Sequence, residues 1–326
     1  MAAFDDLAAL YAVATTHEDG GARSSAASEL AAGVKAAGCG AVMSLALPAK
    51  IAASLGDARS AAAREGAVGV AAALHAALGR AFEPYVAATM PALVEAFDDK
   101  SRDVRAAAGA FLRGWVRGVA PNAAAQILPH LFAGAATIAW RTKVGCLELL
   151  GDLAARAPGP VGQLLPEIVP RCVEHVWDTK PEVQRAARAA LSACCGVCAN
   201  PDVAGVVPAL VAANANPAEN GKAVDALMGT TFVAQVDRPT LAIIVPVLGR
   251  GLRDRDNAVK RKCCVVVDNM CRLVLDARDV APFVDKLLPE LARVEDECPL
   301  PEIRAFGARA KATLVKAIRD GGGTVP

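Results

Sequence analysis

A proline closing an apolar pair recurs at near-regular spacing along this chain, at Pro48, Pro91, Pro129, Pro170, Pro208, Pro246 and Pro289, in steps of 43, 38, 41, 38, 38 and 43 residues. Fourteen to sixteen residues after each proline stands a basic residue: Arg64, Arg105, Lys143, Arg185, Lys222, Lys260 and Arg304. An acid or amide usually fills the gap, at Asp57, Asp98 and Asp99, Asp178, Asn216, Asp254 and Asp296. The copy at Pro129 breaks this rule, with Ala136 and Thr137 there. A unit of about forty residues cannot bury its own apolar face, so such units stack and bury a core between neighbours.

The copy at Leu241–Val274 shows what each unit is. An apolar stretch is followed by the polar turn Arg253-Asp254-Arg255-Asp256-Asn257 and then by a second periodic segment. In that segment Val259, Cys263, Val266, Val267, Met270, Leu273 and Val274 fall on one side at helical spacing. Asp254, Asp256 and Asn257 supply the chemistry of a helix N-cap. Two helices per copy at this period is the HEAT/armadillo signature. The expected fold is therefore all-α: a HEAT-repeat superhelical solenoid of about seven helix-turn-helix repeats. Residues 1–40 should form an N-terminal cap, with helices near Phe4–Thr15 and Ala26–Ala37 and a loop through Gly20-Gly21. The array should occupy residues 41–319, with a flexible tail at 320–326.

Composition agrees. The chain has 326 residues, 54% of them hydrophobic but only 4% aromatic. Ala-rich runs such as 106–108 suit close helix packing, and alternating strand patterns are nearly absent. The net charge of +1 is unevenly spread: residues 1–100 carry 7 basic and 11 acidic side chains, and residues 101–200 carry 11 and 7. Val245–Arg272 holds seven basic residues against three acidic. The pI near 7.5 is not that of a dedicated nucleic-acid binder, but it leaves room for a local basic ridge.

Several functions are excluded by pattern. The phosphate-loop spacing GxxxxGK[ST] is approached only by residues 216–223, where Asn216 replaces the first glycine and Ala223 the hydroxyl. No GxSxG nucleophile motif occurs. His17, His75, His130 and His175 lie in four separate segments without cysteine or serine partners, and Asp98-Asp99 and Asp254/Asp256 read as turn residues rather than a catalytic pair. Cys194, Cys195 and Cys198 contain one CxxC but lack further ligands for a metal site. The ten cysteines read as small core residues of a reducing compartment. The acidic start, with Asp5 and Asp6, is no secretory signal, and no apolar run is long enough to span a membrane. The expectation is a cytoplasmic, monomeric, non-enzymatic chain with no cofactor, metal, membrane or small-molecule substrate.

The basic residue at each fixed offset should bond the turn acid of a neighbouring repeat, as at Arg105, Arg185 and Lys260. Basic residues that such a ladder does not require are better candidates for a partner: Arg141, Lys180, Arg250, Arg253, Arg255, Arg261 and Lys262. Lys143 and Trp177 join them on the same turns. Trp140 and Trp177 read as core, though an aromatic exposed on a turn would make a binding hot spot.

Three segments, VWDTKPEVQRAARAAL (176–191), GTTFVAQVDRPTLAIIVPVLGRGL (229–252) and VKRKCCVVVDNMCRLV (259–274), closely resemble the HEAT domain of translation elongation factor 3. The resemblance extends from AFEPYV (81–86) through KLLPEL (286–291). That family comprises ribosome-bound ABC ATPases of fungi and some algae and protists. The resemblance implies docking on the small-subunit head, through ribosomal RNA and proteins, by a factor that helps release exit-site tRNA. In that family ATP hydrolysis belongs to cassettes that follow the array; here no Walker motif is present, so the chain is either a fragment or a stand-alone array. The related region of the ribosome-bound activator of the amino-acid-control kinase shares AWRTKVGCLELLG-like (139–151), TTFV and RGLR segments. A tubulin-binding HEAT array is a further alternative, motivated by Trp140/Arg141 and Trp177/Lys180.

Overall fold

The computed structural model describes residues 2–320 and Gly322, and those residues are all-α, with no strand among them. Of the tail expected at 320–326, Asp320 ends the last helix, and residues 321 and 323–326 lie outside the described residues.

The chain opens with α1 (Ala2–Thr16), α2 (Gly20–Ala37) and the short α3 (Gly40–Ser44). Seven helix pairs follow. They are α4 (Leu47–Leu55) with α5 (Ala61–Leu78), α6 (Glu83–Glu95) with α7 (Arg102–Gly118), and α8 (Ala124–Ala135) with α9 (Trp140–Arg156). Next come α10 (Pro158–Val176) with α11 (Pro181–Cys195), then α12 (Val207–Ala215) with α13 (Asn220–Met228), and α14 (Arg238–Leu252) with α15 (Asn257–Cys271). The short α16 (Ala277–Val280) precedes the last pair, α17 (Val284–Glu297) and α18 (Pro301–Asp320).

One local expectation is corrected. Gly20 and Gly21 are not a loop but the first turn of α2, because Asp19 caps the helix there, its Oδ2 accepting the Ala22 N–H at 2.7 Å. Each repeat proline lies within the first helix of its pair. Pro48 and Pro208 sit in the first turn, where a missing N–H is harmless, and the other five lie inside the first helix of their pair. Pro181 opens α11, as its first-turn chemistry requires.

The chain divides into two compact units, Met1–Ala157 with Thr179–Ala186, and Pro158–Asp178 with Ala187–Pro326. In the first unit α4, α6 and α8 pack in one layer and α5, α7 and α9 in the other, with α1 and α2 packed on α5. Gly66 permits that last packing: a Cβ there would collide with the Ala14 carbonyl of α1. In the second unit α12, α14 and α17 form one layer and α13, α15 and α18 the other. Here Gly251 lets α14 lie directly on α15, because a Cβ would meet the Cys263 sulfur. The core is aliphatic, with Trp115, Phe82 and Phe283 its largest fully buried side chains.

Nine of the ten cysteines are buried and only Cys39 is exposed. Burial pushes the Cys146 and Cys172 thiols up to about 12 and raises Cys194 and Cys195 as well, so these are packing groups rather than nucleophiles. Among the described residues no cluster of three or more His, Cys, Asp or Glu could hold a metal ion, and no helix is long and apolar enough to cross a membrane.

Candidate interaction surface

The turn between the two helices of each pair is where cap chemistry concentrates charge. Asp256 caps α15, its Oδ1 taking the Ala258 N–H at 2.8 Å, and Asp254 Oδ1 takes the Asp256 N–H at 2.9 Å. These hydrogen bonds commit the acids to the backbone and leave the neighbouring arginines pointing elsewhere.

Where they point reverses part of the expected ladder. Arg64 bonds the turn acid of the next repeat, with Nε and Nη2 on the two oxygens of Asp99 at 2.6 and 2.9 Å. Arg105 turns back to its own turn and donates to the Asp99 and Lys100 carbonyls at 2.6 and 3.0 Å, because the following copy has no turn acid to offer. Arg304 does the same to the Cys298 carbonyl at 2.8 Å. Arg185 and Lys260 have no ion-pair partner among the described residues.

Several residues expected to stand outside the ladder make cross-repeat pairs of their own. Arg141 reaches back to Asp98 at 3.0 Å and lies on the Trp140 ring, 4.6 Å from its centroid. Arg250 is the most deeply committed. Its Nη2 donates to the Ala213 carbonyl at 2.7 Å and its Nε to Asn220 Oδ1 at 3.1 Å, tying α14 to the preceding pair, and burial lowers its pKa. Arg253 pairs with the nearly buried Glu290 at 2.6 Å. Lys262 reaches back to Asp225 at 2.6 Å, and Arg261 reaches forward to Glu302 at 3.5 Å while stacking on Phe306. All these spans are about one repeat long in sequence. Most are solvent-exposed pairs, worth ~0–1 kcal/mol each, so their cations remain available to an outside anion.

Arg255 is exposed and has no ion-pair partner among the described residues. Lys143 is half-buried on α9, and Lys180 is exposed in the turn before α11. Trp177 is not core: at the end of α10 it is 62% exposed. Trp140 is half-buried beneath Arg141. Ile138, fully exposed in the acid-free turn, is a second apolar turn residue that periodicity alone did not single out.

Another group escaped sequence reasoning. Asp268 sits inside the apolar run of α15 and is only 1% exposed, holding Arg272 at 2.9 Å, Arg309 at 3.0 Å and the Thr313 hydroxyl at 2.6 Å. The one available signal was a carboxylate at a core-facing helix position, which demands partners.

Comparison with known proteins places this architecture. Residues 23–191 match the family described as EF3 N-terminal HEAT repeat, and residues 219–324 match the Elongation factor 3/GNC1 HEAT repeat. The chain is 40% identical over 293 residues to Elongation factor 3 of Mycosarcoma maydis, covering 89% of this chain and 28% of that protein. It is 38% identical over 238 residues to Elongation factor 3B of Saccharomyces cerevisiae, covering 73% of this chain and 23% of that one. Protein ILITYHIA of Arabidopsis thaliana is 38% identical over 250 residues, 74% of this chain and 9% of its own length. The chain thus spans about a quarter of the elongation factors it matches. With a family match across more than half its length and seven helix pairs in place, the chain belongs to the EF3 N-terminal HEAT-repeat family.

Proposed function

We propose that this array is the non-catalytic docking portion of an elongation factor 3-like protein, and that it binds the ribosome at the small-subunit head, through ribosomal RNA and proteins. In this reading it serves translation elongation and release of exit-site tRNA, in the cytoplasm and as a monomer. It takes no cofactor or small-molecule substrate.

The observation that carries the reading is the kinship with elongation factor 3 over most of the chain. The turns support it physically. With the helix starts beside them they present Arg141 and Lys180 in the first unit, and Trp177, Arg253 and Arg255 in the second, with Arg261 and Lys262 opening the helix that follows, while Lys143 is half-buried on α9 beside Arg141. Arg250 supports this surface from behind by locking α14 to its neighbour. Exposed guanidinium groups in weak pairs suit phosphate contacts, and an exposed tryptophan suits a protein or base contact.

Sedimentation with purified small subunits over a salt series tests the reading. Pelleting at low salt that is lost as salt rises supports it, because exposed ionic contacts are screened. Pelleting with tubulin but not with ribosomes would replace it by the cytoskeletal alternative that Trp177 also suits.

A further inference from the structure

The fifth helix pair is the shortest of the seven, with nine residues in each helix, so α13 ends at Met228 and the chain crosses to α14 as an irregular loop. The loop is pinned rather than loose. Asp202 Oδ2 accepts the N–H groups of both Val233 and Ala234 at 2.7 Å, and Asn200 Nδ2 donates to the Gln235 carbonyl at 3.0 Å. The Val236 N–H donates to the Leu273 carbonyl at 3.0 Å, tying the loop to the end of α15. Between loop and helix lies an open recess of about 380 Å3, lined by Thr230, Thr231, Phe232, Asn269, Arg272 and Leu273. Asn269 and Thr231 are exposed at its rim, with their polar side-chain groups open to solvent rather than bonded within the described residues.

From this recess a chain of contacts runs across α15 and α18. Arg272 is held by the buried Asp268, which also holds Arg309. Arg309 and Arg261 both lie over the Phe306 ring, at 5.2 and 4.7 Å from its centroid. The three arginines are 44–59% exposed yet orientationally fixed by a buried carboxylate or an aromatic ring. Against them stand Asp268 and Glu302, which leaves the track net positive.

We propose that this face binds an unpaired RNA nucleotide, its base entering the recess beside Phe232 and Asn269 and its phosphates following Arg272, Arg309 and Arg261. Aromatic rings and guanidinium planes stack on bases, an exposed amide and hydroxyl read base edges, and fixed arginines neutralise phosphates. An acidic peptide would use the arginines but has no need of Phe232 or Asn269. A duplex is disfavoured because its bases are stacked away from any recess. Arg261 also belongs to the docking surface proposed above, but the recess with Phe232, Asn269 and Arg272 does not, and the inference stands without that assignment.

The test is fluorescence anisotropy of the full chain with single-stranded RNA of about 12 nucleotides, with a blunt RNA duplex and polyglutamate as competitors. Single strands should outcompete duplex by about tenfold, the size of one base-stacking contact. Asn269→Ala and Arg272→Gln should each weaken binding about five- to tenfold with an unchanged melting temperature, since Asp268 keeps Arg309 and Thr313. Arg272→Gln should also lower the slope of log affinity against log salt by about 0.7. Duplex binding as tight as single-strand binding, displacement by polyglutamate at equal charge, or wild-type affinity in both variants would each overturn the proposal. No ribosome enters the assay, so a failure of ribosome docking leaves this result unaffected.

Discussion

Arg64 and Asp99 form a two-pronged ion pair across consecutive repeats, Nε to Oδ2 at 2.6 Å and Nη2 to Oδ1 at 2.9 Å, with each side chain only 10% exposed. The Asp99 carboxylate also accepts the Ser101 N–H at 2.7 Å, and Arg64 Nη1 donates to the Asp57 carbonyl at 2.7 Å. One pair therefore ties together two inter-helix turns and the start of α7.

Asp99→Asn should cost roughly 2 kcal/mol, because it leaves a largely buried guanidinium without its counter-charge. Burial alone would raise the Asp99 pKa, but the hydrogen bonds from Arg64 and Ser101 and the charges of Arg64 and Arg105 outweigh it and hold the carboxyl below its ordinary value. A depressed folded-state pKa contributes stability above the unfolded value, near ~3.9, that is lost as pH falls through the folded one. Denaturation midpoints of wild type and variant should thus differ fully at neutral pH and converge in strong acid. A gap that persists unchanged into strong acid would show that packing, not charge, is responsible.

Asp268→Ala should be among the most damaging substitutions in the second unit, at about 3 kcal/mol. It deletes the buried carboxylate that neutralises Arg272 and Arg309 and accepts the Thr313 hydroxyl. Helical content followed through chemical denaturation measures it. A midpoint close to wild type would mean that α18 is held on α15 by its apolar contacts alone.

Thiol labelling reads the burial pattern directly. Native chain exposed briefly to iodoacetamide should take up one label, at Cys39, and the remaining nine should react only after denaturation. Rapid native labelling at Cys194, Cys195 or Cys198 would contradict the packing of the fourth repeat.

The seven helix pairs were legible because stacking imposes a period, and proline, cap acid and basic residue mark it at fixed offsets. Gly20 and Gly21 misled because glycine signals a turn unless a cap such as Asp19 overrides it. The ion pairs were not legible. Whether a basic side chain meets its own turn, as Arg105 does, or a neighbouring repeat, as Arg253 does, depends on side-chain direction and on where an acid stands one repeat away. Lys260 and Arg253 differ by seven positions, and only the second found a carboxylate. Trp177 was misplaced for a related reason: a large aromatic near a helix end suits core or surface equally until the turn is built. Asp268 and Phe306 matter through partners on another helix, which no local pattern reveals.

Docking of the turns on the ribosome, as proposed above, is tested most sharply by sedimentation of a double variant. Trp177→Ala with Arg255→Glu removes an exposed aromatic and reverses an exposed charge, and should leave the melting temperature unchanged. Wild type should pellet with small subunits at low salt and be released as salt rises, and the double variant should bind at least about tenfold more weakly, as loss of a hot spot predicts. Absence of wild-type pelleting at every salt concentration, or equal pelleting of the folded variant, would contradict ribosome docking through these turns.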